Sequence, residues 1–183
     1  MNKYKFLKLI SFIALLHPAL SGQNLENLIL EPGFKISIFA ENLSSPRQIT
    51  EGKNGTIFVG ERTGQIIALI DTDQNGRADY KRVIAKDLEY STGISIFNGD
   101  LYFSEISKIW KIENIERWLN ENISSLDLPK KIIVTDQLPS DKSHGWKWLK
   151  HDEEGSLYLN VGAPCNICLS ENSQYASILK IKN

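Results

Sequence analysis

One order of residues occurs three times along this chain, and nothing else in the sequence restricts its fold as much. The first copy runs Phe39-Ala40-Glu41-Asn42-Leu43, Ser45-Pro46-Arg47, Ile57-Phe58-Val59-Gly60, Ile66-Ile67-Ala68-Leu69. The second runs Ile84-Ala85-Lys86-Asp87-Leu88, Ser91-Thr92-Gly93, Leu101-Tyr102-Phe103-Ser104, Ile109-Trp110-Lys111-Ile112. The third runs Val134-Thr135-Asp136-Gln137-Leu138, Ser143-His144-Gly145, Leu157-Tyr158-Leu159-Asn160, Ile178-Leu179-Lys180-Ile181. Leu43, Leu88 and Leu138 are spaced 45 and 50 residues apart.

Each piece is short, rich in β-branched and aromatic residues, and bounded by Gly, Asn, Asp, Ser or Pro, as strands in hairpins are. Asn54-Gly55, Asn98-Gly99-Asp100 and Glu154-Gly155 stand where a tight turn needs residues that tolerate positive φ. Asn114 is placed to cap one short amphipathic helix carrying Ile115, Trp118 and Leu119. Short strands recurring at this period predict an all-β fold of the β-propeller kind. A sandwich also uses many short strands but does not require self-similarity.

The phase of the repeat predicts more. Phe34 to Leu43 matches the outer, fourth strand of a unit, and the third unit stops at Asn183 after its third strand. A propeller needs at least four blades, so the sequence reads as about three blades of a truncated ring, the N-terminal part of something larger.

The first residues belong to another class. Lys3, Lys5 and Lys8 precede the apolar run from Leu9 to Leu16, and small residues follow at Ala19-Leu20-Ser21-Gly22. That order predicts a signal peptide over residues 1–21, with the propeller domain over 22–183. The apolar run is too short to span a bilayer. Of the 21 basic residues three lie in the leader, so 18 remain against 22 acidic ones. No basic stripe is left for nucleic acid, and no other segment approaches membrane-spanning length. The expected product is soluble and periplasmic or secreted, with no nucleic-acid partner and no stable membrane insertion.

Four groups of residues carry chemistry. The Ser-led stretch of each unit precedes the strand that lines a propeller's channel, so Arg47 and His144 take equivalent places at its mouth. A histidine there is either a general base, its ordinary pKa being near neutral, or a polar residue satisfying a turn. Trp146 and Trp148 follow at alternate positions, where packing between blades is the simpler reading and a sugar-stacking platform the other. The loop from Asp71 to Asp79 sets oxygen donors at Asp71, Asp73, Asn75 and Asp79 around a sharp turn at Gly76, as calcium loops do. Arg82 stands where an EF-hand has its bidentate glutamate, so a plain hairpin loop and a weak calcium site both stay open. Cys165-Asn166-Ile167-Cys168 reads as half a zinc site, a redox pair or a local disulfide, the last being the plain reading for an exported chain.

Taken together these stretches resemble the glucose/sorbosone dehydrogenase family, most closely its L-sorbosone dehydrogenase-like branch. The most specific are Ser143-His144-Gly145-Trp146-Lys147 and Val161-Gly162-Ala163-Pro164-Cys165-Asn166-Ile167-Cys168. Also matching are Pro32-Gly33-Phe34-Lys35-Ile36, Pro46-Arg47-Gln48 and Phe58-Val59-Gly60-Glu61-Arg62. The resemblance implies a six-bladed propeller using pyrroloquinoline quinone (PQQ) with calcium to oxidise the aldehyde or hemiacetal carbon of a sugar. It implies that His144 removes the substrate's hydroxyl proton, and that an external acceptor takes the electrons. Arg47, Asn166 and Arg62 are the cofactor contacts it leaves within this sequence. One departure is specific: relatives nearer soluble glucose dehydrogenase place an aspartate, which orients the histidine, where this chain has Ala163. Asp141 is close in sequence, in what reads as a turn. The competing reading is a non-catalytic exported propeller that binds sugar or protein.

Overall fold

Ile57-Phe58-Val59 and Ile66-Ile67-Ala68-Leu69 are apolar at consecutive positions, which suits strands buried on both faces. In the computed structural model, which describes residues 25–182, both stretches are central strands of an antiparallel sheet. That sheet is a meander of β1 (Pro46–Glu51), β2 (Ile57–Glu61), β3 (Gln65–Ile70) and β4 (Tyr80–Ala85). A second meander follows with β5 (Ile94–Phe97), β6 (Asp100–Ser104), β7 (Ile109–Ile112) and β8 (Ile132–Thr135). A third has three strands, β9 (Leu149–His151), β10 (Leu157–Val161) and β11 (Ser177–Ile181). The chain is an all-β protein built as three propeller blades. Residues 25–37 belong to a unit separate from the blades and include one 3-10 turn at Leu25–Asn27. The expected signal peptide lies outside the described residues.

Strand parity explains how neighbouring blades join. Phe58, Ile66 and Ala68 of the first blade pack with Ile94, Leu101, Phe103 and Ile112 of the second. Tyr102 and Ile109 face the other way and meet Leu149, Leu157, Leu159 and Val161 of the third. Alternate residues of β6 therefore serve two cores, as the two-residue period of a strand allows. Val59, Ile67 and Leu69 form the outer cluster of the first blade, covered by Phe39, Ala40 and Leu43.

That cover is irregular chain. The fourth strand expected over Phe34 to Leu43 does not form: the backbone bond from Ala78 N–H to the Phe39 carbonyl, at 2.8 Å, is not continued into a ladder. The expected helix forms as α1 (Ile115–Glu121), with Ile115 and Leu119 in the first core and Trp118 packed against it. Asn114 occupies the cap position, but its backbone is left-handed and its side chain makes no cap hydrogen bond. It instead donates its backbone N–H to Asp100. At Asn98-Gly99 both residues have positive φ, 50° and 85°, the conformation a two-residue hairpin needs.

Because β1, β5 and β9 start at one end of their blades, all three Ser-led stretches come together there. Gln48 of β1 documents the alignment. Its Nε2 donates to the Leu149 carbonyl at 2.7 Å, and its Oε1 accepts from Ile94 N–H at 3.2 Å and Leu149 N–H at 3.1 Å. One amide thus ties the inner strands of three blades.

Candidate active site

His144 sits at this rim, exposed, with φ of +50°. A left-handed backbone costs a non-glycine residue about 1 kcal/mol, so its surroundings must hold it. Gly162 makes the close approach possible. A methyl group there would lie 2.7 Å from His144 Cβ and overlap the His144 carbonyl. His144 Nδ1 lies 3.0 Å from the Ala163 carbonyl oxygen. A carbonyl only accepts, so Nδ1 carries the proton and the lone pair of neutral imidazole stands on Nε2. Residue 163 thus has no carboxylate to offer the imidazole and meets it with its backbone carbonyl instead. Asp141 does not take the role; it accepts from the Tyr175 hydroxyl and so links two rim loops.

The residues after His144 are pinned without a ladder, since β9 and β10 stop pairing at Leu149 and Leu159. Asn160 continues the connection through its side chain. Its Oδ1 accepts from Trp148 N–H at 2.6 Å and its Nδ2 donates to the Trp146 carbonyl at 3.0 Å. Thr92 of the second blade donates its hydroxyl to the Lys147 carbonyl at 2.9 Å. Polar side chains from all three blades therefore fix one short segment, which is how preorganised sites are commonly supported.

Trp146 and Trp148 are 41% and 54% exposed, and Trp146 still meets Arg62 of the first blade, so contact between blades and an open surface are combined here. The inward positions of that segment belong to Lys147 and Leu149 instead. Arg62 lies over the Trp146 ring at 4.2 Å, with Tyr90 at 5.6 Å, a cation–π arrangement. Arg47 lines a cavity of about 250 Å³ together with Gln48, Thr92, Trp146, Trp148 and Asn160. Neither arginine forms an ion pair among the described residues. A larger cavity of about 590 Å³, beside the Asn98-Gly99 turn and α1, lies at the opposite end of the blades.

Lys147 is buried and donates to the Gly145 carbonyl; burial pushes its pKa down to about 8. The other histidine of the described residues, His151, is a core residue. Its Nδ1 meets the Ser95 hydroxyl at 2.9 Å, and its ring packs on Phe97 and Tyr102 at 5.3 Å and 4.5 Å. Burial lowers its pKa, which keeps it neutral. Cys165 and Cys168 form a disulfide, with Cα atoms 5.7 Å apart, and this closes the rim loop that carries Ala163 and the exposed Asn166.

The Asp71 to Asp79 loop is elsewhere. It joins the far ends of β3 and β4, so the length of β3, about 20 Å at the usual strand rise, separates it from the rim. Carboxylate oxygens of Asp71, Asp73 and Asp79 come within 4.8 Å of one another. Asp71 accepts from Gly76 N–H at 2.8 Å, and Asp79 from Thr72 N–H at 2.7 Å. The Thr72 hydroxyl, and then its N–H, hold the Asp79 pKa below its ordinary value. Asn75 turns its Oδ1 to Arg77 N–H at 2.9 Å. This all-oxygen donor set suits a hard cation such as calcium, but at a place remote from His144.

Gln48, Thr92, Asn160 and the Ala163 carbonyl were not singled out by sequence reasoning. Asn160 left a faint signal, a lone amide between Leu159 and Val161; a backbone carbonyl leaves none.

No protein-family profile matches the chain. A curated relative, an uncharacterized protein of Borreliella burgdorferi, is 32% identical over 154 residues, which is 81% of this chain and 39% of that protein. The PQQ domain of pyranose dehydrogenase from Coprinopsis cinerea, solved in its holo form, aligns with a TM-score of 0.62 at 20% identity. That alignment covers 76% of this chain and 34% of the other. A family AA12 carbohydrate-active enzyme from Trichoderma reesei aligns with TM-scores of 0.59 in its iodide structure and 0.60 in its calcium structure. The identities there are 16% and 14%, over 75% of this chain and 35% and 34% of those chains. The chain thus spans about two-fifths of the curated relative's length and about a third of these structures, and it shares their fold.

Proposed function

We propose that this chain contributes the base-bearing blades of a PQQ-dependent oxidoreductase acting on the aldehyde or hemiacetal carbon of a sugar. The observation that carries the reading is His144: an exposed imidazole at the rim, with Nδ1–H bound to the Ala163 carbonyl and Nε2 left as acceptor. An exposed imidazole whose tautomer is set by a backbone carbonyl is equipped for general-base work. In this reading Nε2 takes the hydroxyl proton of the sugar's reacting carbon, and the Ala163 carbonyl stabilises the resulting imidazolium through Nδ1–H.

PQQ is a planar polyanion, and the residues at the rim fit such a group. Arg47 and Arg62 are cations without carboxylate partners among the described residues. Arg47, Arg62 and the Asn166 amide would hold the group, which supplies a two-electron acceptor when bound. An external acceptor would then take the electrons. The Asp71 loop would hold calcium as a brace for the first blade's hairpin rather than beside the quinone. The N-terminal order of basic, apolar and small residues, and the closed Cys165–Cys168 bridge, support export to an oxidising compartment.

The carbonyl in place of a carboxylate also favours a second reading, a non-catalytic propeller that binds sugar, because a neutral dipole stabilises imidazolium less than an anion does. Mixing the protein with PQQ, calcium, an aldose panel and a dye acceptor separates the two. Turnover that falls at least a hundredfold in His144→Ala is expected. Equal turnover in that variant, or no comigration of quinone absorbance with the protein, would rule out the enzymatic reading.

A further inference from the structure

From Gly145 to Leu149 inward and outward side chains alternate. Gly145, Lys147 and Leu149 are buried, while His144, Trp146 and Trp148 face outward. Alternate residues of an extended chain stand on one side, about 6–7 Å apart. The two indoles therefore stand on one side, and His144, in its left-handed turn, comes just before them at the rim.

The backbone that carries both indoles is pinned at successive residues. Asn160 fixes the backbone at Trp146 and Trp148, Thr92 fixes Lys147, and Gln48 fixes Leu149. Arg62 backs the Trp146 ring at 4.2 Å, and that ring still keeps 41% of its exposure. Aromatic plates immobilised in advance lose little entropy when a ligand settles on them. Such plates suit pyranose rings: each sugar presents an apolar C–H face to the electron-rich face of an indole, while its hydroxyls point sideways to polar groups. Arg47 provides those donors across the cavity, with Gln48 and Thr92 also in its lining. The cavity's volume, about 250 Å³, is below the range of about 300–1,000 Å³ typical of pockets that enclose a drug-sized ligand. It suits one ring, with the rest of a longer ligand lying over the indoles.

The geometry points to a carbohydrate track, on which a saccharide of two or three rings places its reducing end at His144 and its following rings over Trp146 and Trp148. This rests on the reading of His144 as the base and adds the substrate class, an oligosaccharide rather than a free monosaccharide. Arg62, beside its part in holding the quinone, also backs Trp146, and Trp148 carries the preference for length.

The test uses the full chain, and its first part requires no cofactor. Tryptophan fluorescence is titrated with glucose, maltotriose and cellotriose, and with the methyl glycosides of both trisaccharides, which cannot be oxidised at the anomeric carbon. At least one trisaccharide is expected to half-saturate at a concentration tenfold or more below that of glucose. Trp148→Ala should remove that gain, so that trisaccharide and glucose half-saturate within about twofold of each other in that variant, and Trp148→Phe should restore part of the gain. Trisaccharides that bind no tighter than glucose, or a gain that survives in Trp148→Ala, would overturn the track. Tight binding of the methyl glycosides without turnover of the reducing sugars would uphold the track and remove the oxidoreductase reading. Turnover without any gain for trisaccharides would do the reverse.

Discussion

Lys147 is the residue whose removal should strengthen the fold. It is 4% exposed, its ammonium has one acceptor, the Gly145 carbonyl, and burial brings its pKa from the ordinary 10.5 to about 8. The shift disfavours the charged form in the native state. A difference of about 2.5 pKa units at about 1.36 kcal/mol per unit sets an upper bound near 3.4 kcal/mol on the cost of holding the charge at neutral pH. The bond to Gly145 is lost with the ammonium, so the net gain expected for Lys147→Met at pH 7 is about 2 kcal/mol. The sign with pH follows from proton counts. Below pH 8 both states bind the proton. Between 8 and 10.5 the unfolded chain still binds it and the native state does not, so wild-type stability rises with pH across that window. Lys147→Met lacks this rise, and the gap between the two proteins should close as pH approaches 10. Urea unfolding at pH 7, 8, 9 and 10, followed by tryptophan fluorescence, measures both. Tyr102, Lys111, Lys142, Tyr175 and Lys180, whose pKa values are raised, titrate in both proteins and cancel in the difference. Parallel stability curves, or a variant weaker than wild type at pH 7, would refute the argument.

Gly162→Ala should displace His144, because carbon atoms pack at about 3.5–4.0 Å and the added methyl would start at 2.7 Å. The Nδ1–H signal of His144 in NMR spectra should shift or vanish, and turnover in the proposed reaction should fall about a hundredfold. Phe103→Ala should cost about 3–5 kcal/mol in urea unfolding, since Phe103 is 0% exposed in the core shared by the first two blades. Calcium should raise the melting temperature of the wild type and have no effect on Asp79→Asn; an equal shift in both proteins would place any calcium site elsewhere.

Much of the architecture was legible because strands and turns leave periodic marks. Ile57 to Gly60, Leu101 to Ser104 and Leu157 to Asn160 all lie in central strands, where apolar runs bounded by turn residues placed them. The period of 45 to 50 residues pointed to blades for the same reason: each sheet must bury both faces against its neighbours. The pattern over-reached at Phe34 to Leu43, where strand-like residues stand without a ladder partner, because a strand is completed by what lies beside it. Asn114 likewise had the residue type of a cap and none of its side-chain geometry.

Of the candidate site, the sequence determined the types and the approximate place: an imidazole, two indoles and two guanidinium groups in segments that meet at one end of the blades. Tertiary structure decided how they are used. It turned Trp146 and Trp148 outward, set Arg62 on an indole and put the Asp71 loop at the far end. It also made the Ala163 carbonyl, rather than any acidic side chain, the partner of His144. Side-chain identity is written residue by residue, whereas the partner of a side chain depends on atoms dozens of residues away, among them backbone oxygens that every residue carries alike.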